Sequence, residues 1–342
     1  QQTLLSASYT YGLRYFVDRV SRKTDSSHEF SGRLDHQFSE RHKVSIDNSF
    51  AYAQEAEVVS DIGVVQRSNG SAYRNFLNID WNSQISEVLG INAAYGNNWY
   101  DYTDSGNGTR SALLDRLEHE ARLAAVYQVQ PKLKFRGGYR LSLVDYAGKF
   151  AVQPPAITTA DVKNQLRHTV FVGTDYEINS RVRASFEGGP QFTDYSNLDG
   201  QNENSIYVSG SLVWVYRQDS YARVGVRVDR TATDLVDVTT PTNPTTDAQS
   251  MGPYLDISHK LTPRITLGSQ FRYNHYEYKG GANEGLTQNY YSLQLNADYK
   301  INEFLSANLS YNYDKSTSPS AALSASRDFD RNRIFLGLTA KY

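Results

Sequence analysis

The feature that most constrains this chain is a two-residue alternation of apolar and polar side chains. It is clearest at the C-terminus, where Ile334, Leu336, Leu338, Ala340 and Tyr342 occupy every second position. A period of two is typical of a β-strand whose two faces lie in different environments. About sixteen such runs of ten to fourteen residues follow one another, and no segment has a helical pattern. The sequence therefore predicts an all-β protein.

The runs are joined alternately by short polar turns and by longer connections. Short turns recur, for example at 128–132 and 260–264, and longer connections rich in Gly, Asn, Ser and Thr lie between them, as at 239–246. Short turns at one rim and long loops at the other are the plan of bacterial outer-membrane barrels. We therefore expect a transmembrane antiparallel up-and-down β-barrel of about 16 strands, with short periplasmic turns and longer extracellular loops. A soluble β-sandwich would instead have to bury all these apolar faces in a two-sheet core.

The composition agrees with a barrel that has a wet interior. Hydrophobic residues make up 39% of the chain and the mean hydropathy is −0.58, because only alternate residues of such a barrel face lipid. The 26 Tyr and 14 Phe residues suit girdles at the membrane interfaces. No change of composition divides the chain, so we expect residues 1–342 to form a single outer-membrane β-barrel domain.

Several classes of function are disfavoured by what the sequence lacks. The chain contains no Cys, which excludes disulfides and thiolate metal sites. The net charge of −2 argues against a nucleic-acid partner, which would need a concentrated basic face. No motif for metal or phosphate binding occurs, and no catalytic triad is suggested by strand pairing. We therefore predict that the protein is not an enzyme and needs no cofactor. Gln1 is consistent with a cleaved signal peptide or a missing upstream part.

The alternation also predicts which charged residues face the interior. Sixteen strands enclose more space than inward side chains can fill, so an aqueous channel is expected. The predicted basic pore-lining residues are Arg122, Arg136, Arg140, Arg183, Arg223, Arg227 and Arg272. The predicted acidic pore-lining residues are Asp35, Asp47, Asp80, Asp298 and Asp314. Because the two sets would occupy opposite arcs, one hypothesis is a transverse field that orients charged or dipolar solutes. The alternative is that mixed charges merely solvate a wet lumen.

Two of the long connections contain apolar residues that are unusual for a free loop. They lie near 55–74, with Val58 and Ile62, and near 147–162, with Phe150 and Val152. Apolar loop residues usually pack against something. We expect these loops either to fold inward and narrow the channel or to cap the outer rim or contact a partner protein.

Two short segments and the last residue resemble those of a known group of proteins. The segments 9–16 (YTYGLRYF) and 34–41 (LDHQFSER) and the terminal Tyr342 resemble the β-barrel porins of Gram-negative outer membranes. The resemblance would extend over the whole chain. It implies an outer-membrane location, contact with outer-membrane lipid and lipopolysaccharide, and recognition of Tyr342 by the barrel-assembly machinery. Such porins are often trimers, and the sequence leaves open whether this protein forms a homo-oligomer.

Three functions fit these features. The first is a porin-like channel for passive diffusion of small polar or charged solutes. The second is a conduit for exopolysaccharide export, with which some relatives are associated and which would use inward aromatic side chains for stacking. Those aromatic residues are Phe16, Tyr146, Phe171, Tyr207, Tyr254, Tyr276 and Phe335. The third is a structural or adhesive barrel whose lumen is plugged.

Overall fold

In the computed structural model, residues 2–15, 23–53, 71–152, 158–198, 202–233, 245–320 and 327–340 are described. They form sixteen strands and one short α-helix. The strands are β1 (Thr3–Tyr15), β2 (Thr24–Ser39), β3 (His42–Ala53), β4 (Ala72–Gln84), β5 (Leu89–Tyr102), β6 (Arg116–Gln130), β7 (Leu133–Tyr146), β8 (Gln165–Asn179), β9 (Val182–Tyr195), β10 (Asn202–Arg217), β11 (Ser220–Ala232), β12 (Asp247–Lys260), β13 (Ile265–Lys279), β14 (Thr287–Lys300), β15 (Leu305–Thr317) and β16 (Phe329–Ala340). Helix α1 spans Arg110–Leu114, and 3₁₀ turns span Ala160–Lys163 and Gly281–Asn283.

The sixteen strands form one antiparallel sheet in which each strand pairs with its neighbours in the sequence. The register places Leu5 opposite Leu34 at the start of the sheet and Leu309 opposite Leu336 at its end. Seven short turns connect strands at one rim, and eight longer connections lie at the other. The predicted all-β, up-and-down barrel fold and the alternation of short and long connections are therefore confirmed. The prediction that no segment is helical was wrong for α1, which is too short to show a helical period.

The outer face of the sheet is apolar and exposed. It carries Val172 at 68% exposure, Ile206 at 60% and Leu336 at 80%, residues that a soluble protein would bury. Exposed aromatic rings such as Tyr95 and Tyr139 also lie on this face, each with its hydroxyl hydrogen-bonded to a histidine on the next strand. Lipid is the environment in which such a face is stable.

The inner face is polar, and the sheet curls around it. Arg140 on β7 contacts Asp229 on β11 at 3.0 Å, although three strands lie between them. Arg122 on β6 similarly reaches Glu187 on β9 at 2.6 Å. Because side chains of distant strands meet only on the polar face, that face is the concave one. Within the described ranges, none of the helical segments is long and apolar enough to cross a membrane.

Strands β1 and β16 are the two edges of this order, since among the described residues β1 pairs with β2 and β16 with β15. In hydrocarbon, unpaired backbone N–H and C=O groups cost several kcal/mol each. We therefore expect the two edges to pair with each other in the membrane. The absence of native Cys allows this to be tested by introducing pairs of cysteines.

Ala7→Cys should be combined in turn with Ile334→Cys, Leu336→Cys and Leu338→Cys, all on the outer face. We expect one combination to form an oxidised cross-link, because pairing brings Cα atoms to about 4.5–5.5 Å. The pair Leu5→Cys with Leu34→Cys, which are opposite each other on β1 and β2, is the positive control. Cross-linking of this control alone would contradict closure through β1 and β16.

Neighbouring residues on β15 test the assignment of the two faces. Leu309 is 51% exposed on the outer face, whereas Asn308 lies on the inner face and donates a hydrogen bond to Asp298 at 2.8 Å. Leu309→Lys should lower the free energy of unfolding in bilayers by about 2–4 kcal/mol, because a lysine would enter lipid. Asn308→Lys should have a much smaller effect, since the new cation lies beside Asp298. If denaturant unfolding showed the same loss of unfolding free energy in both variants, the assignment of Leu309 to the outer face and Asn308 to the inner face would be contradicted.

Candidate functional site on the inner face

The inner face holds all twelve charged residues predicted to line a pore. Arg140 and Asp314 are buried there, Arg183, Arg223 and Asp298 are exposed, and the other seven have intermediate exposure. Their position on the polar side follows from strand parity. Whether they line a water-filled channel stays a prediction. The terminal Tyr342, predicted as an assembly signal, lies outside the described residues.

The first ionic cluster joins strands β6 to β10. Glu187 accepts a hydrogen bond from Arg122 Nη2 at 2.6 Å and from the Tyr207 hydroxyl at 2.5 Å. Arg136 Nε lies 3.3 Å from the same carboxylate, while Arg136 Nη2 is 2.8 Å from Asp175 Oδ1. One glutamate therefore contacts two arginines, and with Asp175 the cluster holds two carboxylates for two guanidinium groups, so its charges balance.

The second cluster lies closer to the long-loop rim and is almost dry. Arg140 forms a two-pronged ion pair with Asp229, with N–O distances of 3.0 and 3.1 Å. Gln191, which is fully buried, donates to Asp229 at 2.9 Å, and Arg227 lies 3.9 Å from that carboxylate. Charges buried this deeply are tolerated only with such partners. The cluster ties β7, β9 and β11 together.

A third cluster lies at the long-loop ends of β8, β9, β11 and β12. Arg230 makes a two-pronged contact with Asp247 at 2.6 and 2.7 Å, and it donates to the Tyr195 hydroxyl at 3.1 Å. Arg167 donates to the backbone carbonyl of Arg230 at 2.9 Å. Sequence reasoning missed Arg230, because its even position on β11 predicts an outward side chain, whereas only 2% of it is exposed.

The predicted acidic arc contains its own cations. Arg33 lies 2.7 Å from Asp35 and 3.2 Å from Asp47. On the last strands, Asp314 is held by Arg331 at 2.8 Å and by Arg333 at 2.5 Å.

Local ion pairing therefore occurs in both of the predicted arcs. The charges of an ion pair largely cancel at a distance. The electric field across the interior is therefore weaker than the field between one purely basic arc and one purely acidic arc would be. The transverse field therefore stays a hypothesis, with a smaller expected strength.

Several long connections fold against the inner face and contact one another at the long-loop rim. We call the described segments 103–115, 147–152 and 158–164 together the loop collar. Lys163, which is fully buried, donates to the carbonyl of Leu113 at 3.2 Å and to that of Thr233 at 3.1 Å. Its ammonium also lies 4.1 Å from the centre of the Tyr146 ring, a cation–π geometry. Lys163 thereby connects three loops. Whether the loop near 147–162 narrows the channel or caps the outer rim stays a prediction, and the loop near 55–74 lies largely outside the described residues.

Helix α1 anchors the other half of the collar. Asp115, at its end, accepts hydrogen bonds from the Tyr102 backbone N–H at 2.7 Å and from the Ser111 hydroxyl at 2.5 Å. Burial raises the pKa of Asp115 to about 6, because desolvation of the carboxylate outweighs these two hydrogen bonds. The segment also contacts the other loop directly, since Gly108 N–H donates to the carbonyl of Ala151 at 2.8 Å.

Most of the inward aromatic residues are not free to stack on a solute. The exposures of Tyr146, Phe171, Tyr207 and Tyr276 lie between 0 and 5%, and Phe16 lies outside the described residues. Arg122 and Arg140 cover the Phe171 and Tyr207 rings at 4.4 and 4.2 Å. An uninterrupted aromatic track, which polysaccharide export would favour, is therefore not formed by these residues. Across the described ranges no group of three or more His, Asp or Glu residues is arranged to hold a metal ion.

Comparison with protein families identifies one match in the C-terminal third. Residues 233–342 match the model of the family described as "Putative beta-barrel porin 2". This region contains strands β12 to β16. The resemblance to β-barrel porins is therefore confirmed for this part of the chain. No curated protein gives a significant match to the chain.

Two of the solved structures that share the fold of this chain are described as metal transporters. The copper transporter OprC superposes with a TM-score of 0.56 and 10% identity, covering 100% of this chain and 63% of that one. The apoprotein form of the FrpB iron transporter of Neisseria meningitidis (F5-1 variant) gives a TM-score of 0.54 and 9% identity, covering 93% and 57%. The chain thus spans about three fifths of the length of these proteins. At such identities the likeness shows the fold alone, and with the family match it supports a location in the Gram-negative outer membrane.

The buried Lys163 contacts allow the collar to be tested. Lys163→Met keeps the length of the side chain but leaves the carbonyls of Leu113 and Thr233 without this donor. Loss of a buried partner costs about 1–3 kcal/mol, so hydrogen exchange of segment 158–164 should become faster. Lys149→Met, at an exposed position of the same loop, is the control and should leave exchange unchanged. Unaltered exchange in Lys163→Met would show that Lys163 does not hold the collar.

Proposed function

We propose that this outer-membrane β-barrel is a channel through which small polar or charged solutes diffuse passively. The observation that carries the proposal is the inner face, which is polar on every strand and keeps charged side chains accessible. Examples are Arg33 at 50% side-chain exposure, Asp47 at 40% and Arg183 at 69%. A face of this kind is stable only against water.

The apolar packing inside the sheet supports an interior that is not filled throughout. The buried apolar clusters contain only three or four residues each. Three of them contain residues at the long-loop ends of strands, such as Tyr102, Tyr146 and Tyr278. Elsewhere on the inner face, a cavity of about 280 Å³ borders β1 to β4, and it is lined mainly by Ser, Asn and charged side chains. Water and small solutes are suited to such a surface.

The loop collar would set the size limit of the channel. It occupies the inner side near β5 to β8, where α1 and the 3₁₀ turn at Ala160–Lys163 meet. A plug attached to one wall narrows a channel without closing it. The same contacts are also expected of a structural barrel with a plugged lumen. The channel and the plugged barrel are therefore distinguished by whether ions pass through the protein.

Planar-bilayer conductance of the purified full chain tests the proposal directly. We expect stepwise, ohmic currents, and swelling of protein-loaded liposomes in small sugars but not in large oligosaccharides. A barrel that inserts, as shown by the cross-linking and unfolding assays above, yet gives neither current nor swelling would contradict the proposal and support a plugged barrel. Strong block of the current by long oligosaccharides would instead favour a polysaccharide conduit.

A further inference from the structure

Five arginines line a continuous groove on the inner wall between β6 and β13. Two adjoining cavities of about 310 and 130 Å³ form it, and they share Ser209 and Arg227. We call it the arginine groove. The guanidinium groups that line it belong to Arg122, Arg136, Arg223, Arg227 and Arg272.

Small residues leave space between these arginines. Ser185, Ser209 and Ser211 line the first cavity and Gly252 the second. Tyr254 lies flat against the wall, because Gly225 beside it has no side chain: a Cβ there would lie 2.4 Å from the tyrosine ring. These small residues thus bound the space between the arginines in both cavities.

Positive charge exceeds negative charge in the groove. Five arginines line it, but only the two carboxylates Glu187 and Asp256 do. Glu187 is shared between Arg122 and Arg136, and Arg136 also pairs with Asp175, outside the groove, at 2.8 Å. Asp256 lies 3.7 Å from Arg272. This distance is longer than that of a direct hydrogen bond.

The two arginines of β11 are the least compensated. The nearest carboxylate of Arg227 is Asp229 at 3.9 Å, and Asp229 is already bound by Arg140. Over the described part of the chain, Arg223 has no carboxylate within 4.0 Å. Arg223 is exposed, and 38% of the Arg227 side chain is exposed. Both guanidinium groups are thus available to a solute.

The chemistry of these groups selects one class of solute. A guanidinium presents a planar fork of N–H donors that matches the two oxygens of a carboxylate or phosphate. Positive groups on a low-dielectric wall also raise the local concentration of anions. Arg223 and Arg227 lie on the same face of one strand, four residues or roughly 13 Å apart. An anion could pass from one to the other.

We propose that the arginine groove binds small oxyanions, carboxylates or phosphates, and makes the channel conduct anions in preference to cations. The selectivity part of this inference rests on the proposed channel function. The binding part does not, because the groove exists whether or not ions pass through the barrel.

Binding is measured first, with succinate and inorganic phosphate as probes in NMR titrations of the purified protein in detergent. Arg223→Gln combined with Arg227→Gln should weaken binding of both probes by about tenfold, the loss expected for a charge-assisted contact. Arg41→Gln combined with Arg264→Gln removes the same charge from two exposed short turns and should leave binding unchanged. Equal binding by both double variants would overturn the proposal.

Reversal potentials in a KCl gradient test selectivity in the same variants. The native protein should favour chloride, and Arg223→Gln with Arg227→Gln should reduce or reverse that preference. Arg227→Lys keeps the charge but lacks the planar fork, so it should keep the chloride preference and bind succinate less tightly. Conductance with a cation preference in the native protein would overturn the inference and leave the channel function intact. Absence of conductance with intact anion binding would contradict the channel function alone.

Discussion

The structure depends on the requirement that backbone polar groups in a membrane be paired within the protein. Sixteen strands meet this requirement through a single antiparallel sheet in which sequence neighbours are bonded to each other. Lipid then takes the apolar side chains of the outer face, such as Val172 and Leu336. Most charged side chains are left for the inner face. The interior of this protein is therefore held together by polar contacts, where a soluble domain would use an apolar core.

Polar contacts of this kind are directional, and they divide the inner wall into distinct regions. The ion pairs Arg140–Asp229 and Arg230–Asp247 bind β7 to β12 into a nearly dry network. Burial of these charges is tolerated because each arginine forms two short contacts with its carboxylate. The wall near β1 to β4 instead keeps its charges accessible, as at Asp47. The buried ion pairs thus lie on β7 to β12, beside the partly exposed arginines of the groove, whereas the charges on β1 to β4 are more accessible.

The two proposals concern different parts of this wall. The loop collar, fixed by Lys163, would limit the size of what passes. The arginine groove lies below it and would select by charge through Arg223 and Arg227. Because Glu187 and Asp229 neutralise the neighbouring arginines, recognition is confined to short range. Selection by charge then depends on contact with the wall.

The sequence by itself determined the strands, their antiparallel order and the face on which most strand residues lie, with Arg230 as an exception. A two-residue period encodes all three, so Arg122 and Asp35 could be placed on the inner face correctly. Tertiary structure decided which of these side chains meet. The contacts of Arg140 with Asp229 and of Lys163 with Thr233 depend on how tightly the sheet curls and how its loops turn inward. Local periodicity carries no information on curvature, because curvature arises from packing between residues far apart in the chain.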